Sequence, residues 1–263
     1  MIFRQVSIVG TGLLGSSLGL ALKRYKLAGC VIGVSGAAAE ALRVGAVDAV
    51  AELAEAAPDS DLVVLAQPIR RLLQTMQGLD AHLAEGAIVT DVGSTKSVIC
   101  AAADQYIKRG RFVGGHPMAG KERRGPDGAS ADLFAGRTWI LTAQEPRLEA
   151  MIRDIGAKPL LLSPEEHDRL VARASHVPQL LSTALASYLE GSGAEKVAGP
   201  GLKDMTRLAL SSFELWDDIL ATNEVNIDAV LAGFIQHLEV LRQKGFTEAF
   251  AEGTKFAQRI PRS

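Results

Sequence analysis

One histidine in this chain lies in a run of residues that a buried strand does not call for. Gly114-Gly115-His116-Pro117-Met118-Ala119-Gly120 reads GGHPMAG, and the four charged residues 121–124 follow at once. His116 is one of five histidines. An imidazole has an unperturbed pKa of about 6.5, so it can accept a proton near neutral pH. The glycine pair before it and the proline after it define a backbone shape without naming a reaction. Taken alone, His116 is either a base or a surface loop residue.

A second run, Asp91-Val92-Gly93-Ser94-Thr95-Lys96-Ser97, follows the apolar stretch 87–90. It therefore lies past the carboxyl end of a strand, where open α/β sheets bind ligands. Ser94 is either the cap of the next helix or a donor to a substrate or a nicotinamide. A third run, Gly10-Thr11-Gly12-Leu13-Leu14-Gly15, is a G-x-G-x-x-G between an apolar strand at 6–9 and a helix opening at Ser16. In that context the first glycine allows a tight turn and the second lets backbone approach a pyrophosphate. The third allows close helix–strand packing, and the helix N-terminus attracts the negative charge.

The expected cofactor contacts are Gly10, Thr11, Gly12, Leu13, Leu14 and Gly15, joined by Gln67 and Pro68 after the run at 62–66, and by Asp91. An acidic residue about 20 positions past the glycines would favour NAD by binding the ribose 2′-hydroxyl. The second strand ends at Val34, and Ser35-Gly36-Ala37 follows with neither an acid nor an arginine. Ser35 leans the choice between NAD and NADP slightly toward NADP.

The elements that must carry these runs can be read from apolar spacing. Short apolar stretches recur at 6–9, 31–34, 62–66, 87–90, 112–113, 138–142 and 159–162, with helix-like stretches such as 16–25, 37–45, 69–83 and 96–109 between them. Continuous apolar strands alternating with helices predict a mostly parallel sheet covered on both faces, an α/β Rossmann domain over residues 1–163. After Ser163 the texture changes. Ser163 with Glu166 three residues on reads as a helix start. Leu180, Leu181, Ala184, Leu185 and Leu189 follow helical spacing as a core-facing stripe. Residues 164–263 are expected to form an all-α domain for substrate binding and dimerisation.

Composition narrows the class. A net charge of −2 gives no electrostatic footprint for nucleic acid or an anionic membrane. No apolar run reaches the roughly 18 residues of a membrane span. No secretory leader is read at the start, and Cys30 and Cys100 form no disulfide framework or metal pattern, so a cytoplasmic protein with reduced thiols and no metal is expected.

The chain resembles the prephenate/arogenate (cyclohexadienyl) dehydrogenases of tyrosine biosynthesis. The resemblance rests on the glycine motif, on DVGSTKS with GGHPMAG, on Ser175-His176-Val177-Pro178, on Gly201-Leu202-Lys203-Asp204-Met205-Thr206-Arg207, and on Trp216 in ELWDDILATN. It covers essentially the whole chain. It implies a homodimer that oxidatively decarboxylates arogenate or prephenate with NAD(P). It further implies that His116 is the general base and Ser94 its catalytic neighbour. His176, Arg207, Lys203, Glu122 and Trp216 would be substrate-binding residues, with Arg207 on the ring carboxylate. Lys121, and Ser211-Ser212-Phe213, depart from the family's text. Two other readings compete. One is another two-domain dehydrogenase, of the β-hydroxyacid or pyrroline-5-carboxylate reductase type. The other is a cofactor-binding sensor without catalysis.

Overall fold

Leucine, isoleucine and valine runs too short for helices and bounded by glycine or polar residues give this chain its strands. The computed structural model describes residues 1–34, 37–120 and 125–260. The main sheet contains β1 (Phe3–Val9), β2 (Ala28–Val34), β3 (Ala49–Val50), β4 (Leu62–Leu65), β5 (Ile88–Asp91) and β6 (Arg111–Val113). Their spatial order is β3-β2-β1-β4-β5-β6, and every neighbouring pair is parallel. Helices α1 (Leu13–Arg24), α2 (Ala38–Arg43), α3 (Leu53–Ala56), α4 (Ile69–Leu79) and α5 (Ser97–Tyr106) provide the crossovers.

Every residue of β4 and β5 is buried, as covering both faces of a parallel sheet requires. One core packs Val6, Ile8, Leu18, Leu22 and Trp139, and the other packs Val63, Leu65, Leu72, Met76 and Ile99. Each such side chain contributes about 1.5–3 kcal/mol by leaving water. Chain order reverses between β1 and β4, so their carboxyl ends flank the switch point at which such sheets bind ligands. This is the expected Rossmann arrangement.

A second sheet holds β7 (Gly115–Pro117), β8 (Thr138–Leu141) and β9 (Lys158–Leu161), with β7–β8 antiparallel and β8–β9 parallel. Helix α6 (Pro146–Asp154) connects β8 to β9. Strands β3 and β7 lie outside the sequence expectation. β3 has two residues. β7 is not an apolar run; it exists because Gly115, His116 and Pro117 pair with Leu141, Ile140 and Trp139. His116 is therefore a strand residue rather than a loop residue.

The remaining helices are α7 (Pro164–Val171), α8 (Val177–Leu189), α9 (Pro200–Thr206), α10 (Phe213–Thr222), α11 (Glu224–Lys244) and α12 (Thr247–Arg259). The Ser163 cap forms as read, with Glu166 N–H donating to Ser163 Oγ at 3.1 Å. The chain divides into two compact units. The first is Met1–Asp168 with Ser211–Thr222, and the second is Arg169–Leu210 with Asn223–Ser263. Helix α10 belongs to the first unit. Arg70 binds it through Asp217 and Asp218, and Ile219 and Trp216 pack into the core beneath α4.

Helices joined by turns make up the second unit, with no strand among its described residues. There the stripe read on α8 needs correcting. Leu180, Leu181, Leu185 and Leu189 are only partly buried and Ala184 is exposed, while Val177, Gln179 and Ser182 are buried. The polar pair has a function that helical spacing does not reveal. Gln179 donates to Leu208 O at 2.7 Å, and Ser182 Oγ accepts from Ala209 N–H at 3.2 Å, fastening the turn Arg207–Leu210 to α8. Much apolar surface stays uncovered: Tyr188, Val197, Leu210, Val225 and Phe250 are each at least 76% exposed. None of the described helices is long and apolar enough to cross a membrane.

Candidate active site

The glycine motif closes β1 onto α1. Gly10 has φ of 99°, a left-handed conformation that disfavours side chains, and a Cβ there would meet Ala66 O at 2.6 Å. Its hydrogen atom is what lets the ends of β1 and β4 touch. Gly12 differs, because a Cβ on it would meet no protein atom within 4 Å. Packing therefore does not demand this glycine, while close approach of a pyrophosphate would. Gly12 is the N-cap of α1, and no acidic side chain occupies the helix's first turn, so the amide dipoles there favour an anion. Thr11 is buried, and Gly12, Leu13 and Leu14 are partly exposed. Gln67 and Pro68, at the end of β4, border the same switch point, with Gln67 Oε1 accepting from Thr75 Oγ1 at 2.8 Å. These residues fit a dinucleotide.

Asp91, read from the sequence as a cofactor contact, has a different use. It is wholly buried. Its Oδ2 accepts from Gly93 N–H at 2.7 Å and pairs with the equally buried Lys96 ammonium, and its Oδ1 accepts from Gly115 N–H at 3.0 Å. That leaves no exposed side-chain surface for a ligand. Gly93 precedes Ser94 and Gly115 precedes His116, so one carboxylate fixes the backbone ahead of both candidate catalytic residues. Gly115 must be a glycine for this, since a Cβ would meet Asp91 O at 2.5 Å.

Ser94 is half-buried in the loop between β5 and α5. It is not the helix cap, because α5 begins only at Ser97. The cap comes from far along the chain. Asp168 accepts the N–H groups of Lys96 and Ser97 at 2.7 and 2.8 Å. Asp168 also accepts from His167 Nδ1 at 2.8 Å, and His167 Nε2 lies 2.8 Å from His116 Nδ1. The two imidazoles meet edge to face, with ring centroids 5.0 Å apart. His116 is 9% exposed, while His167 and Asp168 are buried. Burial works to raise the Asp168 carboxyl, but hydrogen bonds from His167, Ser97 and Lys96 together outweigh it and hold the group below the usual carboxylate range. Among the described residues no buried side-chain nitrogen or oxygen lacks a hydrogen bond.

Sequence reasoning missed His167 and Asp168 as functional residues. They lie 51 and 52 positions after His116, so no local spacing links them. The available signal was the Ser163 cap, which sets the phase of α7.

Trp216 is half-buried on α10, and its Nε1 donates to Ser211 Oγ at 3.0 Å. In the second unit, His176 ends a π-helical turn, Ala172–His176, and is buried with its Nδ1 3.2 Å from Asn223 Nδ2. Lys203 on α9 and Arg207 at the next turn are exposed and form no ion pair among the described residues. Ser35 and Glu122 lie outside the described residues. Burial pushes the Cys100 thiol up to about 11, which favours the protonated form at neutral pH.

The family model described as "Prephenate dehydrogenase, nucleotide-binding domain" matches residues 18–156, and "Prephenate dehydrogenase, dimerization domain" matches 163–251. A prephenate dehydrogenase of Lactococcus lactis is 30% identical over 97% of this chain and 77% of its own length. Among solved structures, Synechocystis arogenate dehydrogenase superposes with a TM-score of 0.81 at 30% identity, covering 97% of each chain. The prephenate dehydrogenase of Aquifex aeolicus, in complex with hydroxyphenyl propionate and NAD+, gives a TM-score of 0.84 at 30% identity over 97% of this chain and 95% of that one.

The Asp168 clamp has a pH signature. Because its folded-state pKa is depressed, its stabilisation is complete above the unfolded value of about 3.9 and is lost as pH falls below it. Asp168→Asn should lower the urea midpoint at neutral pH, and the gap from wild type should close as the pH drops below that value. A gap that does not change with pH contradicts the assignment.

Proposed function

The chain belongs to the prephenate dehydrogenase family, and from that premise we propose that it oxidatively decarboxylates prephenate, arogenate or both. The products are 4-hydroxyphenylpyruvate or tyrosine, and the step serves tyrosine biosynthesis in the cytoplasm. The observation that supports this reading is the shared anchor by which Asp91 accepts from the amides of Gly93 and Gly115, the residues just before Ser94 and His116, at the carboxyl edge of the parallel sheet. Membership in this family sets aside the β-hydroxyacid dehydrogenase and pyrroline-5-carboxylate reductase readings. Nucleotide binding falls to the first unit, which takes in residues 1–163 together with the start of α7 and helix α10, and substrate binding and dimerisation fall to the helical remainder of 164–263.

When bound, NAD(P)+ supplies the hydride acceptor for C4 of the cyclohexadienol ring. Gly10, Thr11, Gly12, Leu13, Leu14 and Gly15 would hold the pyrophosphate of the cofactor, and Gln67, Pro68 and the sequence candidate Ser35 would serve the rest of it. Neutral His116 accepts the 4-hydroxyl proton. As C4 becomes a carbonyl, the electrons of the bond to the ring carboxylate move into the ring and CO2 leaves. Aromatisation makes the step irreversible. Ser94 donates to the same oxygen or steadies His116. Arg207 grips the ring carboxylate, for which a planar fork is suited, and Lys203 adds charge one helical turn earlier. His176, Glu122 and Trp216 complete the substrate contacts. The lack of an acid after Val34 favours NADP over NAD. The exposed apolar side chains of the helical unit support a homodimer built through it.

Initial rates with prephenate and arogenate, each against NAD+ and NADP+, test the reading. Turnover of at least one pair is expected, with the better rate on NADP+. Cofactor binding without turnover of either substrate would favour the sensor reading. His116→Ala should lower kcat by about 10²- to 10⁴-fold with little loss of cofactor affinity. Acidification should lower wild-type activity, because a protonated imidazole accepts no proton. Arg207→Ala should act chiefly by raising the substrate KM; an unchanged KM removes the carboxylate clamp. Light scattering should give twice the monomer mass at micromolar concentration, and a monomeric mass would remove the dimer.

A further inference from the structure

The first unit holds a hydrogen-bonded chain, His116 to His167 to Asp168, that the proposed chemistry does not by itself require. We propose that His167 and Asp168 are positioning residues that fix the tautomer of His116, holding a proton on its Nδ1 so that its Nε2 carries the lone pair that accepts the substrate's hydroxyl proton. The proposal deepens the functional reading above and rests on it for the substrate.

The protonation of each ring follows from the far end of the chain of bonds. Asp168 accepts three N–H groups, from Lys96 and Ser97 of the backbone and from His167 Nδ1, and a carboxylate can only accept. His167 Nδ1 must therefore carry a proton. A ring that carries its one proton on Nδ1 presents Nε2 as an acceptor, and this is the form assigned to the fully buried His167. The 2.8 Å contact from Nε2 to His116 Nδ1 then needs a proton on the latter. A neutral imidazole has one N–H, so the lone pair of His116 falls on Nε2. An imidazole in water prefers no such fixed choice strongly, and the wrong tautomer would offer the substrate a donor where an acceptor is needed.

Two further features hold the relay still. Asp168 is anchored by the α5 backbone rather than by His167 alone, so it stays put while a proton arrives at His116. The Ser163 cap fixes the phase of α7, which carries both residues. Hydrogen bonds link His116 to His167 and through it to Asp168 on α7, and Asp91 of β5 with its partner Lys96 acts behind Gly115. When His116 takes the substrate's proton, its imidazolium donates through Nδ1 to His167 Nε2, and no proton needs to move along the relay.

The test begins with wild-type protein labelled with 15N in its histidines. Long-range 1H–15N correlation spectra report the protonation of each ring nitrogen, and the His116 signals are assigned as those lost in His116→Gln. His116 and His167 should both show a protonated Nδ1 and an unprotonated Nε2. A His116 protonated at Nε2, or a doubly protonated His167, overturns the proposal without any variant of the relay. In His167→Leu the His116 proton should redistribute toward Nε2. Its kcat should fall about 10²-fold or more, with KM for substrate and cofactor changed only a few-fold. His167→Gln, whose amide oxygen can accept the Nδ1 proton, should recover much of that loss. A His167→Leu enzyme with wild-type kcat also overturns the proposal. If wild type turns over neither prephenate nor arogenate, the functional reading falls, while the tautomer spectrum still decides the relay.

Discussion

A buried carboxylate and a buried ammonium, Asp91 and Lys96, are the constraint on which the candidate site depends. Neither would persist alone. Removing one partner of such a pair leaves an uncompensated charge and typically costs about 3–5 kcal/mol. Here the pair does more than satisfy itself. Asp91 spends its other hydrogen-bonding capacity on the amides of Gly93 and Gly115, one on each of two segments that have no sequence proximity. The parallel sheet supplies the first segment and the three-stranded sheet supplies the second. The carboxylate therefore joins the two sheets at the point where the candidate chemistry sits.

A second carboxylate, Asp168, closes the other end of the same segment. Residues 91–97 are held at their start by Asp91 and at their end by Asp168, which caps α5. Ser94 lies between two fixed points. His116 is held twice as well, through the amide before it and through its own Nδ1. Candidate catalytic residues whose backbone is anchored in this way need little reorganisation when a substrate arrives, which is the economy that preorganised sites achieve.

The sequence made some of this legible and hid the rest for physical reasons. The G-x-G-x-x-G context, the apolar strands and the Ser163 cap are local signals, and all three read out correctly as elements. β7 was invisible because its residues carry no strand pattern; pairing with β8 creates it. Asp91 looked like a ligand contact because it ends a strand on the binding edge, and only burial reveals its role. His167 and Asp168 were hidden because their partners are remote in sequence. The α8 stripe misled for the opposite reason. Helical spacing identified apolar residues, but the helix turns Gln179 and Ser182 inward to hold the turn bearing Arg207.

The central claim is that the placement of His116 depends on Asp91, a residue with no exposed surface and hence no direct contact with a ligand. The most direct measurement is kcat for Asp91→Asn with the substrate that the wild-type protein uses, under conditions where circular dichroism shows the variant folded. The amide keeps the shape of the side chain but cannot accept at both ends, so Gly93 or Gly115 loses its anchor. A fall in kcat of about 10²-fold, the scale of a misplacement near 1 Å, with substrate and cofactor affinities nearly unchanged, is the predicted result. A folded Asp91→Asn protein with wild-type kcat would contradict the account.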